Sequence, residues 1–304
     1  MLRVWYSEDF TLQLPEGHRF PMRKYRDLRE ALVNACIVNE TELFESPEAT
    51  RDELLLAHDA AYVDGILSGS LPERELKPIG FPWSPGLVRR SRRTVGGALA
   101  ASRWALEHGI AGQLAGGTHH AHRNRGGGYC VFNDQACAAL HLLRECADKV
   151  RRVLIVDLDV HQGDGTSSIL RGHEQVYILS LHGERNYPFR KVASTVDRGL
   201  PDGLTDIDYM KVLDEELDRA LGFRPDLILY QAGVDPLASD RLGKLSLTHE
   251  GLKQRDRRVI GFAHQLNIPI SLAMGGGYAE PISDTVRAHV GTYEVVREFW
   301  PRIP

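Results

Sequence analysis

From residue 157 to residue 164 the chain reads Asp-Leu-Asp-Val-His-Gln-Gly-Asp, with three carboxylates and one imidazole directly behind the apolar run Val153–Val156. Alternation along an extended chain puts Asp157, Asp159 and His161 on one side. Charges at the end of a buried strand are costly unless they are paired or bound to a metal. Two carboxylates and an imidazole suit Zn2+ or another divalent first-row ion. The plain alternative is a solvated acidic loop, and the buried strand ahead of the segment argues against it. A second apolar run ends in Gln231-Ala-Gly-Val-Asp235. By itself Asp235 would be a turn residue or a helix cap. With Asp159 and His161 it completes a three-ligand set, which leaves the open position a catalytic zinc needs.

Three further segments carry reactive groups. In Gly116-Gly-Thr-His-His-Ala-His122 the tandem His119 and His120 read as metal ligands or as an acid/base pair beside the metal, because an imidazole titrates near neutrality. The spare carboxylates Asp157 and Asp164 then orient their rings from behind. His122 reads as a surface or loop histidine. In Met274-Gly-Gly-Gly-Tyr278 the glycines allow close backbone approach, and Tyr278 can donate to a developing oxyanion, although a core tyrosine is the default for such a motif. In Arg125-Gly-Gly-Gly-Tyr129-Cys-Val-Phe-Asn-Asp134 the glycine run presents Tyr129 as the wall of a narrow apolar channel. Cys130 reads as a buried thiol. Gly128 and Gly276 are further expected substrate contacts.

The elements that must position these groups alternate. Strands are expected at the N-terminal LRVWYS, at 113–117, 151–160, 176–182, 226–233 and 268–277. Helices are expected at 50–67, 86–108, 133–148, 208–222, 248–265 and 281–299. Such alternation predicts a three-layer α/β/α fold with a mostly parallel central sheet. Each reactive segment follows a strand, and open α/β sheets bind ligands at the carboxyl ends of their strands. Five segments distant in sequence are therefore expected on one rim.

Bulk properties exclude several classes. Of 304 residues, 42% are hydrophobic and 26% charged, and no Pro/Gly/Ser-rich linker divides them, so residues 1–304 read as a single catalytic domain. A formal net charge of −4 gives no nucleic-acid surface. The cluster Arg89, Arg90, Arg92, Arg93 reads as the solvated face of a helix. Four cysteines without a CxxC pair fit a reducing cytoplasm, and neither a signal peptide nor a membrane span is evident.

Taken in order, GGTHHA, GGGYCVFND, VLIVDLDVHQGDGT, SLH, QAGVDP, LSLTHEG and MGGGY resemble the histone deacetylase superfamily over roughly residues 50–280, with HRFPMRKY (18–25) a weaker match. The compact length and the run RRSRRTVGGALAASRWALEHG are closest to its class IV branch and bacterial relatives. The resemblance implies an arginase/deacetylase fold and removal of an acetyl or other acyl group from the amine of a lysine or polyamine. It implies one Zn2+ on Asp159, His161 and Asp235, with His120 as general base and then acid. Asp157 stands behind His119, Asp164 behind His120, and Tyr278 is the transition-state tyrosine. Tyr129 and Tyr187 form the tunnel walls, and a structural K+ lies near Asp157, Ser180 and Leu181. One departure is visible: the loop Ile79–Ser84 carries no acid, where class I relatives grip the substrate backbone. Two other readings are an arginase-like two-metal ureohydrolase, which would draw on Asp157 and Asp164, and a non-catalytic module that binds an acylated ligand.

Overall fold

The computed structural model describes residues 2–7, 12 and 14–300, so part of the N-terminal stretch inspected for a leader lies outside them. Among the described residues eight strands form one sheet: β1 Val4–Tyr6, β2 Leu43–Glu45, β3 Ile110–Gln113, β4 Val153–Asp157, β5 Val176–Gly183, β6 Val196–Leu200, β7 Leu227–Gln231 and β8 Ile270–Ala273. Their spatial order is β2-β1-β3-β8-β7-β4-β5-β6. Every pairing is parallel, for example Asp157 opposite Ser180 on one side and Gln231 on the other. Parallel pairing demands crossovers, and the helices that supply them cover both faces.

The described residues form ten α-helices: α1 Lys24–Asn34, α2 Arg51–Leu55, α3 Ala60–Ser68, α4 Glu73–Leu76, α5 Pro85–His108, α6 Asp134–Glu145, α7 Asp164–Leu170, α8 Asp206–Leu221, α9 His249–Gln265 and α10 Ile282–Phe299. Side-chain alternation divides each central strand between two cores. Leu154, Val156, Ile228 and Tyr230 point into one core, shared with α1, α8, α9 and α10. Val153, Ile155, Leu227 and Leu229 point into the other, under α3, α5 and α6. Strands buried on both faces explain the nearly unbroken apolar runs in the sequence.

The expected helix at 50–67 is two helices. The chain breaks at His58, whose buried ring donates from Nδ1 to the His122 carbonyl (2.9 Å) and accepts the Asn133 N–H (2.9 Å). Asp59 then restarts the chain in extended geometry as the cap of α3. The first helix and strands β2 and β6 were not anticipated. The two strands lie at the sheet edges, and β6 (Val-Asp-Arg-Gly-Leu) lacks a strand-like apolar pattern. No described helix is long and apolar enough to cross a membrane.

Helix α5 corrects the reading of its arginines. Arg90 shares a face with Leu87, Thr94 and Ala98 and is only 9% exposed. Arg92 pairs with Glu48 (2.7 Å) and Arg93 with Glu45. Helical periodicity turns one arginine of the four inward while its neighbours meet acids at the surface.

Candidate active site

Five adjacent strands, β3, β8, β7, β4 and β5, deliver their carboxyl ends to one cavity of about 560 Å3. Its lining includes Gly117, His119 and His120 after β3, Asp159 and His161 after β4, Tyr187 after β5, Asp235 after β7, and Gly276 and Tyr278 after β8. Tyr129 and Gly128 line it as well.

Asp159, His161 and Asp235 offer one ligand atom each, all within 4.8 Å of one another. His161 Nδ1 lies 3.0 Å from Asp159 Oδ1 and 3.1 Å from Asp235 Oδ2. The second oxygen of each acid is already engaged: Asp159 Oδ2 accepts the Gly276 N–H (2.7 Å) and Asp235 Oδ1 accepts the Val160 N–H (2.8 Å). Both carboxylates are buried. The backbone thus aims the remaining oxygen of each acid, with the imidazole nitrogen, at a common point. Buried acids so arranged call for a cation, and the two-oxygen, one-nitrogen set fits a divalent zinc-like ion. Gly276 is required by the space: a Cβ there would come within 2.0 Å of Asp235 Oδ2 and 2.7 Å of Asp159 Oδ2.

The histidine pair sits beside this cluster. His119 and His120 rings lie 4.2 Å apart, and His120 is 6.0 Å from the His161 ring. His119 Nδ1 meets Asp157 Oδ2 at 2.9 Å, and His120 Nδ1 meets Asp164 Oδ1 at 2.7 Å. Each spare carboxylate therefore stands behind the histidine expected from the sequence. Burial opposes charge on both rings. For His119 the Asp157 and Asp159 carboxylates overcome it and raise the pKa to about 9. For His120 burial and the neighbouring His119 charge lower it to about 4. His120 is thus a neutral ring beside a charged one. Asp164, despite its burial, is held well below the carboxylate range by its bonds to His120 and His122.

His122 is not a surface histidine. It is buried, and its Nε2 lies 3.1 Å from Asp164 Oδ2, so one carboxylate holds two rings. A tight turn, in which the His122 N–H donates to the Arg125 carbonyl (2.8 Å), folds the residue back under the site.

The aromatic positions gather at the channel. Tyr129, held at φ 66°, packs against Phe20 (5.0 Å), Phe81 (5.2 Å) and Tyr278 (6.3 Å). A Cβ on Gly128 would meet the His120 ring at 2.7 Å. Tyr187 stands edge-on to His120 at 4.8 Å and is 41% exposed, with Phe189 beyond it at the mouth. Burial pushes the Tyr278 hydroxyl well above its usual pKa, keeping it a hydrogen-bond donor. Cys130 is buried, and burial raises its thiol well above its ordinary pKa, as expected for an inert thiol.

Several supporting residues escaped the sequence reading. Asp134 accepts the Gly117 and Thr118 N–H groups (2.9 and 3.0 Å), fixing the loop before the histidines. Asp240 accepts the Tyr278 N–H (2.6 Å). Fully buried Arg255, on α9, donates to the Leu158 and Gly233 carbonyls, next to the strand ends that carry the cluster. Lys24 and Arg90 line the cavity at its buried end. The only sequence signals for these last two were the HRFPMRKY stretch and the helical phase of Arg90.

The comparisons with known proteins agree with this geometry. A family model described as "Histone deacetylase domain" matches residues 18–293. An uncharacterized protein of Picosynechococcus sp. is 40% identical over 98% of this chain and 99% of its own length. Histone deacetylase 2 of Arabidopsis thaliana is 34% identical over 93% of this chain and 77% of its own. The crystal structure of an HDAC homologue from Aquifex aeolicus superposes with a TM-score of 0.83 over 100% of this chain and 85% of that one, at 24% identity, which bears on the fold. The sheet, the order of the motifs and these relatives lead to one assignment: the chain belongs to the histone deacetylase family.

Proposed function

We propose that the protein is a zinc-dependent amidohydrolase that removes an acyl group from an amine nitrogen. The observation that carries this reading is the convergence of Asp159, His161 and Asp235 in one cavity with His120, whose ring Asp164 orients. Asp159, His161 and Asp235 would hold a zinc ion, which would supply Lewis acidity at the site. His120 takes the proton of the attacking water and returns it to the leaving amine, with Asp164 fixing its ring. His119, held by Asp157 at 2.9 Å, stands beside the oxyanion as a second oriented ring. The Tyr278 hydroxyl donates to that oxyanion from the glycine loop. Tyr129 and Tyr187 flank the linear part of the substrate.

Protein loaded with one metal equivalent should release amine from acetyl-lysine peptides or acetylpolyamines, and the metal count should be one per chain. Loaded protein that hydrolyses no acyl-lysine or acylpolyamine of a broad panel would leave a binding module. Two zinc ions per chain would leave a ureohydrolase-like centre.

A further inference from the structure

The cavity has two unlike ends. Its mouth is formed by exposed side chains, Phe189 (88% exposed) and Leu242 (42%) with Tyr187. Elsewhere the lining is buried: Phe20, Thr94, Lys24 and Arg90, with the half-buried Tyr25. Lys24 is 3% exposed and donates to the Gly277 and Gly275 carbonyls at 3.3 and 3.5 Å. The Arg90 guanidinium lies 5.0 Å from the Tyr25 ring centroid and 5.6 Å from that of Phe20. Lys24 Nζ lies 5.3 and 5.7 Å from the same two rings. Both cations thus flank one pair of aromatic walls.

Neither cation has a carboxylate partner among the described residues, whereas Arg92 and Arg93 on the same helix pair with Glu48 and Glu45. A guanidinium buried without a counter-charge is expensive, and an anionic ligand in the cavity would offset that cost. Arginine's planar fork matches a carboxylate with two parallel hydrogen bonds. An acyl group reacting at the metal cluster with its chain directed past Tyr278 would carry its terminus to this end, and Phe20 and Tyr25 would wall its methylenes.

We infer that the buried end of the cavity binds a carboxylate at the far end of the acyl chain, so that the substrates are amides of dicarboxylic acids of the succinyl and glutaryl class. The inference rests on the hydrolase reading above. The reaction is the same hydrolysis: water adds to the acyl carbon, the C–N bond breaks, the amine takes the proton and a dicarboxylate leaves. No co-reactant is required.

The test uses the full chain loaded with zinc and lysine peptides carrying length-matched acyl groups: glutaryl against pentanoyl, succinyl against butanoyl, with acetyl as reference. A site built around a charged group rejects the analogue that lacks it. The carboxylated member of each pair is expected to show a kcat/KM at least tenfold higher. Arg90→Gln should collapse that ratio at least tenfold, and Arg90→Lys should retain part of it. Calorimetric binding of glutaryl peptide at least tenfold tighter than pentanoyl peptide reads the subsite without turnover. If acetyl peptide is hydrolysed but neutral and carboxylated chains are equal, or Arg90→Gln leaves the ratio intact, the inference is overturned. Equal inhibition by free acetate and glutarate without substrate preference also overturns it, since the cations would then serve only the released carboxylate. A clear glutaryl preference in binding without any turnover would sustain the subsite and sink the hydrolase reading.

Discussion

At the scale of single residues, the tyrosine and a histidine outside the reaction make the sharpest expectations. If Tyr278 is an oxyanion donor, Tyr278→Phe should lower kcat by about 10²–10³-fold while zinc content, measured by metal analysis, stays at the wild-type level. Unchanged turnover would remove the tyrosine from the chemistry. His58 affects stability. Burial lowers its pKa from 6.5 to about 4, against backbone bonds from His122 and Arg123 that favour the charge. The folded state therefore prefers the neutral ring. Its contribution is complete above pH 6.5 and is lost as pH falls from there toward 4, on the order of 3 kcal/mol in all. Urea melts of wild type and His58→Gln between pH 7 and 4.5 should differ in slope by about that amount, and parallel curves would exclude the assignment. Both residues show what the sequence could convey at this scale. Tyr278 was legible because it follows a glycine run at a strand end. His58 was hidden inside a continuous helical pattern, since its partners, the His122 carbonyl and the Asn133 N–H, are 64 and 75 residues away.

At the scale of elements, strand ends and the helices behind them set the geometry. Arg255 of α9 ties the carbonyl of Leu158, one residue before Asp159, to that of Gly233, two before Asp235, and bonds to Asp256 at 2.8–2.9 Å. Asp256 in turn accepts the Tyr230 hydroxyl on β7 at 2.5 Å. Removing one member of a buried ion pair costs about 3–5 kcal/mol. Arg255→Met should therefore lower the unfolding free energy by that order in urea titration. It should also weaken metal retention against a chelator, because the two ligand-bearing loops lose their common anchor. Wild-type chelator resistance would show that the strap serves stability alone. The strands β4, β5, β7 and β8 and the loops that follow them were readable from apolar runs ending in polar or glycine-rich segments. Edge strands and the inward arginine were not, because edge strands are weakly patterned and a cluster of four arginines looks solvated until its helical phase is counted.

At the scale of the whole molecule, an all-parallel sheet spreads the site over five connections, so its energy is shared by the entire fold. A cation held by the two buried carboxylates and the imidazole would add to that stability. An ion held at a hundredfold excess over its dissociation constant contributes about 2.7 kcal/mol. Chelation should accordingly lower the melting temperature by about 4 °C, with recovery on adding one equivalent of zinc. A calorimetric trace that does not respond to chelation would mean the centre is formed without the ion. The architecture was largely legible because alternation and strand-end chemistry are local signals. The closed, cationic end of the cavity was not, because it is assembled from the first helix, the fifth helix and the last glycine loop.

The Lys24 contact also bears on the order of synthesis. Its ammonium meets carbonyls 251 and 253 residues further along the chain. A chain emerging from the ribosome therefore carries its histidines and two of its acids long before the segment that closes the chamber exists. Until residues 275–278 arrive, Asp159 has no Gly276 amide to hold its carboxylate and Lys24 has no carbonyls to meet.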